Sequence, residues 1–587
     1  RMKEDRDRIK ESIDNLDRNM FVVRKFHSQE GWASKNIYIP FEVEPDVEDS
    51  TEKIVLRFLK GYGPSSLQGI RGGTSFYYSE IEAVLSKLRE EGVVEKIWMG
   101  DLGLEMWILT EELEKLENIE PREVRDRLRI LSLYDPWIQP MWSQLISKFG
   151  EGWYFPIIKN GDICGMIEKW EMSGCLEIRE VMLESEELLP ELIDELDRMM
   201  KFYRKKGLEI LRIKRAFGED IAGSKHLETF LKKGYKQIGD FIAKGKFEPL
   251  VFTRNQVLSY IFWKQGIHDE HRFENVMDAI DALGGLRSDY EANLKTDIPV
   301  SLQRLMDQGT LFSGRTIPEF VTYSTLENIA VYKKAKNRRL TEYMKMVLDV
   351  IKDKEPIRRK QLFTLSPLGY GNTTEALRRL SDGLYVVWEI IDGKGAYRSV
   401  PDIPDLTTNR ARKTVLKRIM DSYGIFSAEN LSAYTKHEFK MEETRKTLRQ
   451  LEREGHLVKG FFVEDEETLY WALKEDLDKI AKMTFDKQFL LTPRDNLSIY
   501  LRERVRERWN MGSAAVAFDG TDMIAALRVR WRKNEMIITD FKGDLSAREI
   551  LKTFSLENDI RVVEEREQMD DWEMVIWYER MRGKESK

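Results

Sequence analysis

The run of apolar residues in LSYIFWKQGI (258–267) reads as a helix and leads to a second helix across 271–284. The intervening GGLRSDY (284–290) opens on two glycines and reads as extended chain, and GTLFSGRTIPEFVTY (309–323) as a turn-rich hairpin. A second segment runs from Leu340 to about Pro404. In it Asn372 stands three residues before Glu375, an N-cap with a capping-box partner, and LRRLSDGLYVVWEIIDGKGAYRSV (377–400) predicts a helix and then a hairpin turning on Asp392-Gly393. The third segment, 410–478, repeats the plan: a helix over 441–454, Gly455, then strands in LVKGFFV (457–463) and TLYWAL (468–473). Helix–turn–helix followed by a two-stranded ribbon is the winged-helix pattern, here three in tandem. After them GSAAVAFDG, MIAALRVRW and EMIITDFKG (512–543) predict short antiparallel strands joined by tight turns.

The chain also repeats itself. IVLRFLKGYGPSS (54–66) matches TVLKRIMDSYGIFS (414–427), LSKLREEGVVEK (85–96) matches LRQLEREGHLVK (448–459), and LSLYDPWIQPMW (131–142) parallels LTPRDNLSIYLR (491–502). NGDICGMIEKWEMSGCLEI (160–178) parallels DGTDMIAALRVRWRKNEMII (519–538), and all four pairs keep an offset of about 360 residues in the same order. A register held that long implies duplication. Upstream, LDRNMFVV (16–23) parallels LSDGLYVV (380–387), and Tyr38 parallels Tyr397. The first copy is thus expected to start inside a domain, its equivalent of 250–380 missing, as in a fragment or processed chain. The expected fold is α+β: tandem winged helices followed by a β-rich, barrel-like domain, duplicated, with the first copy N-terminally incomplete. The expected boundaries are a partial winged helix over 1–50, a winged helix over 51–120 and a β-rich domain with covering helices over 121–249. The second copy follows as winged helices over 250–339, 340–408 and 409–480 and a β-rich domain over 481–587.

Composition narrows the function. A chain of 587 residues, 42% hydrophobic and 34% charged, holds about three to six folding units. It contains no apolar run long enough for a membrane span and opens on a charged RMKEDRDRIK. Two cysteines, Cys164 and Cys175, and six scattered histidines make neither a zinc array nor a disulfide framework. These features point to a cytoplasmic protein without metal or cofactor. No GxxxxGK[ST] occurs, which argues against nucleotide hydrolysis, and Lys394 is a hairpin tip. His268 and His271 read as a solvated helix cap. The net charge is −7, with 39 Lys+Arg against 47 Asp+Glu in residues 1–250 and 56 against 55 beyond. General polyanion binding is therefore disfavoured, and local basic faces remain.

Those faces are in the second copy. A winged helix places its last helix in the major groove and its wing on phosphates. The helix of the third segment carries Arg445, Lys446 and Arg449, with Lys436 just before it, and the second segment offers Arg378 and Arg379. After Asp495 come Arg502, Arg504, Arg506 and Arg508, of which Arg502 and Arg506 share a helix face. With Glu503 and Glu507 between them, an ordinary exposed surface is the equal reading. The first copy has Glu80 and Glu82 in the matching place, and MWSQLISKFG carries only Lys148. Trp170 and Trp531 occupy equivalent positions, where packing within the β domain is favoured over base stacking.

The Tyr-Gly-Pro turn at Tyr62, Gly63 and Pro64 (Tyr423 and Gly424 in the second copy), the segment Ser132, Asp135, Pro136, and GWYFPIIKNGDICGMIEKW resemble the winged-helix DNA glycosylases of the AlkZ/YcaQ family. They are similar also to the C-terminal region of large helicase-related (Lhr) proteins. The second copy keeps Asp495 without the proline. The resemblance implies duplex DNA as partner and removal of damaged bases in DNA repair. That family's catalytic signature, Gln-Φ-Gln or Gln-Φ-Asp, falls on Arg287-Ser288-Asp289, so Asp289 matches the carboxylate while Arg287 replaces the glutamine and Ser288 the apolar residue. Glycosidic cleavage builds oxocarbenium character that a carboxylate stabilises while polarising a water. Arg287 so close favours electrostatic stabilisation over proton acceptance, with Arg287 or Tyr290 as helper in exposing the base. The plainer reading is that Asp289 pairs with Arg287 at a turn. A degenerate duplex-binding accessory to a helicase is the alternative, and a sequence-specific transcription regulator a third.

Overall fold

Helices form at Ser50–Tyr62, Leu67–Thr74 and Tyr78–Glu90, where apolar residues return at helical spacing, and Val55, Leu59, Ile70, Ile81 and Leu85 bury the facing stripes completely. The Ser66 hydroxyl accepts the Gly69 N–H at 3.1 Å and starts the second helix. An antiparallel ribbon, Val94–Met99 with Leu104–Leu109, closes this group. The computed structural model describes residues 12–13, 16, 22–26, 36–40, 50–99, 104–118, 127–132, 135, 138, 142–150, 152, 154–172, 174–298, 300–317, 320–532 and 534–564. Most of the expected partial winged helix over 1–50 lies outside the described residues, as does Pro136. Contacts divide the chain into two units, 1–166 with 183–186, and 167–182 with 187–587.

In the larger unit the strand that starts at Cys175 pairs in parallel with Ile210–Ala216 across the helix Leu189–Lys205. The hairpin Lys236–Ile238 and Phe241–Gly245 adds to it antiparallel. Helices then span Arg254–Lys264, Val276–Leu283, Asp289–Lys295, Leu302–Asp307 and Leu326–Lys336, with the ribbon Phe312–Ile317/Phe320–Ser324 before the last. The next segment has helices Glu342–Lys354, Arg359–Leu365 and Tyr370–Asp382 and a ribbon Val386–Ile391/Lys394–Ser399. This ribbon joins the preceding one in one five-stranded sheet through Ser313 and Trp388. Its turn has φ of 51° at Asp392 and 68° at Gly393, the left-handed pair that a two-residue hairpin of this twist requires. The third segment has helices Thr408–Tyr423, Ala428–Tyr434 and Met441–Arg453 and strands Leu457–Gly460 and Tyr470–Leu473.

Residues 245–252 run along this last ribbon. The Glu248 N–H donates to the Lys459 carbonyl at 2.8 Å and the Phe252 N–H to the Phe462 carbonyl at 2.7 Å, while Phe241 and Phe247 pack on Phe461. The described residues end in a five-stranded sheet: Gln488–Leu491, Ala515–Asp519, Asp522–Arg532 and Glu535–Gly543 antiparallel, then the helix Ala547–Glu557 and the parallel strand Arg561–Glu564.

The duplication is visible in the elements. Trp142–Phe149 corresponds to Arg502–Trp509, and Asp162–Met172 to Asp522–Arg532. Both copies contain a helix crossing to a parallel strand, which the expectation of antiparallel strands alone did not contain. The Asp135 N–H donates to the Ser132 carbonyl at 2.9 Å, and the Asp495 N–H to the Thr492 carbonyl at 3.1 Å, so one turn recurs in both copies. Three local expectations differ. Asn372 lies within the helix Tyr370–Asp382, which starts from Gly369 because Thr373 already bonds back to that carbonyl. The helix expected over 271–284 begins only at Val276, capped by Asn275, whose side-chain oxygen Oδ1 accepts the N–H groups of Met277 and Asp278. Asp289 and Tyr290 are helical, since the Ser288 hydroxyl accepts the Glu291 N–H at 3.1 Å and starts a helix straight after the two glycines.

Gly424 ends the helix Thr408–Tyr423 at φ 76°, and a Cβ there would overlap the Tyr260 ring, whose hydroxyl is held by Asp476 at 2.6 Å. Left-handed strain and overpacking add. Gly424→Ala is therefore expected to cost at least about 2 kcal/mol, read from a lowered thermal midpoint. Gly63→Ala, at the equivalent place but with no atom within 4 Å of the added carbon, carries only the backbone part.

Candidate active site and nucleic-acid interface

Gly284 and Gly285, at φ of 81° and 144°, turn the chain so that Arg287 points inward and Asp289 outward. The Arg287 guanidinium donates to the carbonyls of Pro493 at 3.0 Å and Asp495 at 2.9 Å, and its centre lies 4.3 Å from the Phe320 ring centroid. Burial lowers its pKa. Asp289 is exposed; its Oδ1 accepts the Leu302 N–H at 2.7 Å and its Oδ2 the Ser301 hydroxyl at 3.4 Å. The carboxylate thus caps the helix Leu302–Asp307, and no ion pair joins it to Arg287 among the described residues. The pairing expected at this turn is replaced by two separate engagements.

Asp289 lies on a cleft of about 500 Å³ with Tyr290, Tyr323, Arg494, Asn534 and Asn558. Tyr290 stacks on Trp531 at 4.7 Å, and Arg494 sits 5.4 Å from the same indole. Burial, then the charge of Asp289, raises the Tyr323 phenol, so at neutral pH it is a hydroxyl donor. An exposed carboxylate, neutral phenols, amides and a guanidinium in one polar cleft can hold a nucleoside and stabilise developing positive charge.

A buried ionic knot supports this cleft. The Lys295 ammonium donates to Glu291 at 2.8 Å, Asp495 at 3.0 Å and Gln265 at 3.0 Å, and Lys295, Glu291 and Asp495 are at most 1% exposed. The other Glu291 oxygen accepts the Arg287 N–H at 2.7 Å, and the Asn496 side chain donates to the Gly285 carbonyl at 2.8 Å. Burial first, and Asp495 second, raise the Glu291 pKa to about 7. Burial alone would lower Lys295, but the two carboxylates hold it above 10.5. The neutral acid of Glu291 is the form the fold favours. Its contribution is therefore full below the ordinary 4.5 and is withdrawn as pH rises through about 7.

The cationic candidates separate. Arg378 is exposed and engaged by Glu375 at 2.8 Å and Asp382 at 2.7 Å, and Arg379 is exposed on Glu375 at 2.7 Å. Arg502 is half-buried, 5.0 Å from the Phe320 centroid, so Phe320 carries two guanidinium groups. Arg506 is exposed, 3.8 Å from Glu503. Lys446 is exposed and Lys436 half-buried in a left-handed turn at φ 52°. Arg445 is half-buried on Glu429 at 3.0 Å, and Arg449 is half-buried against Gly207. The face of Met441–Arg453 that bears these two is covered within its own unit. His268 caps a short turn through the Glu270 N–H, while His271 stacks on Trp263 at 3.9 Å. Trp170 and Trp531 are only half-buried, each with an arginine over the ring, Arg179 at 4.8 Å and Arg494 at 5.4 Å.

A family model for the DNA glycosylase AlkZ-like proteins matches residues 18–152 and 322–517, more than half of the chain. The chain belongs to the AlkZ-like DNA glycosylase family. The two matched stretches end shortly after the corresponding helices Trp142–Phe149 and Arg502–Trp509, as a repeat of this family's unit would. Asp289 lies outside both stretches. The Streptomyces sahachiroi DNA glycosylase AlkZ superposes on 54% of this chain and 100% of its own length, with a TM-score of 0.44 and 13% identity. No curated protein matches the chain. No helix among the described residues is long and apolar enough to cross a membrane.

Sequence reasoning did not anticipate the Glu291–Lys295–Asp495 knot, the role of Phe320, or Arg494. Nor did it single out KKAKNRR (333–339), a dense basic run that local composition does signal.

Proposed function

We propose that this chain binds duplex DNA and hydrolyses the N-glycosidic bond of a damaged nucleotide, with the Asp289 carboxylate stabilising the oxocarbenium-like sugar and orienting water. The observation that carries this reading is an exposed Asp289, free of any ion pair with Arg287, on a polar cleft next to Tyr290 and Arg494. The three helix–ribbon segments read as winged helices. On that reading Arg378, Arg379, Lys446 and Arg506 are the exposed cations offered to phosphates. Tyr290 and Phe320, braced by Trp531 and by Arg287, would fill the gap left by an extruded base.

A second reading, duplex binding without catalysis, has one observation in its favour. Arg287, in the place of the family's glutamine, commits its guanidinium to the carbonyls of Pro493 and Asp495. The wild-type chain incubated with end-labelled duplexes containing uracil, alkylated purines or a crosslink is expected to yield lesion-dependent abasic sites. Duplex binding with no release from any of these would replace the first reading by the second.

A further inference from the structure

A second basic cleft, of about 700 Å³, lies where the first two helix–ribbon segments meet the third. Arg315 comes from the ribbon strand Phe312–Ile317, Lys336 and the Arg338-Arg339 pair from the end of Leu326–Lys336 and the linker after it, and Arg378 and Arg379 from Tyr370–Asp382. Three carboxylates face these six cations. Glu438 takes Arg338 in a two-bond fork at 2.9 and 2.6 Å, Asp382 takes Arg315 at 2.9 Å and Arg378 at 2.7 Å, and Glu375 bridges Arg378 and Arg379. Arg339 is exposed with no hydrogen bond or ion pair among the described residues. Lys336 is buried beneath them and donates to the Arg315 carbonyl at 2.6 Å and the Asp382 carbonyl at 3.0 Å, with burial pushing its pKa down to about 8.

Six cations around three carboxylates leave a surplus that costs free energy until an anion arrives. Five of the six are guanidinium forks, which suit the oxygens of a phosphate. Among the described residues Met344 is the one apolar side chain in the lining and no aromatic ring lines it, so the cleft offers charge and not a stacking platform. Ile317, two residues beyond Arg315, pairs with Phe320, the ring that holds Arg287 of the Asp289 cleft. A rise of about 3.3 Å per residue and a cross-strand spacing of about 5 Å put the Arg315 backbone within roughly 12 Å of Phe320.

We propose that this cleft is a phosphate-binding site which grips the backbone of the strand lying in the Asp289 cleft, a few nucleotides away from it. The phosphates displace Glu375 and Asp382 from Arg378 and Arg379, exposed pairs that hold little energy of their own. The choice of a nucleic acid backbone over free phosphate rests on the function proposed above; the phosphate chemistry does not.

The test is Arg339→Gln with Arg379→Gln in the full chain, both positions exposed, against Lys482→Gln, an exposed charge outside the cleft. Fluorescence anisotropy of a labelled duplex gives the slope of log affinity against log salt. The double variant is expected to lower that slope by about 2, near 0.9 per lost phosphate contact, with the control unchanged. If the slope is unchanged but calorimetry finds inorganic pyrophosphate bound by wild type and not by the double variant, the site stands and its ligand is a free phosphate. An unchanged slope without pyrophosphate binding overturns the proposal. Absence of base release alongside the expected change in slope would remove the glycosylase reading and leave the cleft intact.

Discussion

Asp289→Asn is expected to reduce base release at least about 100-fold while leaving duplex affinity and thermal midpoint unchanged. The substitution is selective for a structural reason. Asp289 Oδ1 accepts the Leu302 N–H at 2.7 Å, a bond that the amide oxygen of asparagine also accepts, so the helix Leu302–Asp307 keeps its cap. What is lost is the negative charge facing the cleft. Asp289→Ala removes charge and cap together, and adds about 1 kcal/mol of destabilisation. Single-turnover release from the lesion duplex that wild type processes, paired with anisotropy on the same duplex, separates the effects. An asparagine variant with undiminished release would strip Asp289 of its catalytic role, whatever the fate of binding.

Lys295→Met should be the most damaging single change to stability, about 3–5 kcal/mol. The Lys295 ammonium donates to both Glu291 and Asp495, and all three are buried. Replacing it with an apolar chain of similar length leaves two carboxylates together in a dry interior. Glu291, already raised to about 7, must then take up a proton at still higher pH, so the variant loses most against wild type in alkaline buffer and least near pH 5. Glu291→Gln placed on top of Lys295→Met removes one stranded charge and should recover part of the loss. Urea unfolding at several pH values reads both effects; a midpoint shift that is small and independent of pH would mean that the knot carries little energy.

Local chemistry made much of this fold legible before any coordinates. Asp392-Gly393 can hardly be anything but a two-residue hairpin turn, and it joins the strands Val386–Ile391 and Lys394–Ser399 in antiparallel register. The offset of about 360 residues marked the recurring turn at Asp135 and Asp495. The failures have two causes. At Ser288, a helix start was hidden behind Gly284 and Gly285, whose flexibility reads as extended chain until the hydroxyl's bond to the Glu291 N–H is seen. The second cause is distance along the chain. Lys295 meets Asp495 from 200 residues away, and Arg449 meets Gly207 across a similar gap. No periodicity within a helix tells which of its faces another part of the chain will cover. The sequence therefore identified Arg445 and Arg449 as cations on a helix but not that their face is occupied, and it identified Asp289 but not that Arg287 turns away from it.

The segment of residues 245–252, which meets the ribbon at Glu248 and Phe252, has a practical consequence. By bonding to Lys459 and Phe462 it covers the outer edge of the ribbon Leu457–Gly460/Tyr470–Leu473 and shields Phe461 with Phe241 and Phe247. Trimming the chain to its second half, with a cut near residue 253, would leave an open row of backbone donors and acceptors beside uncovered aromatic rings, a template for intermolecular pairing. The second copy is therefore not a detachable module: an expression fragment of it must carry the last strands of the first copy to stay soluble.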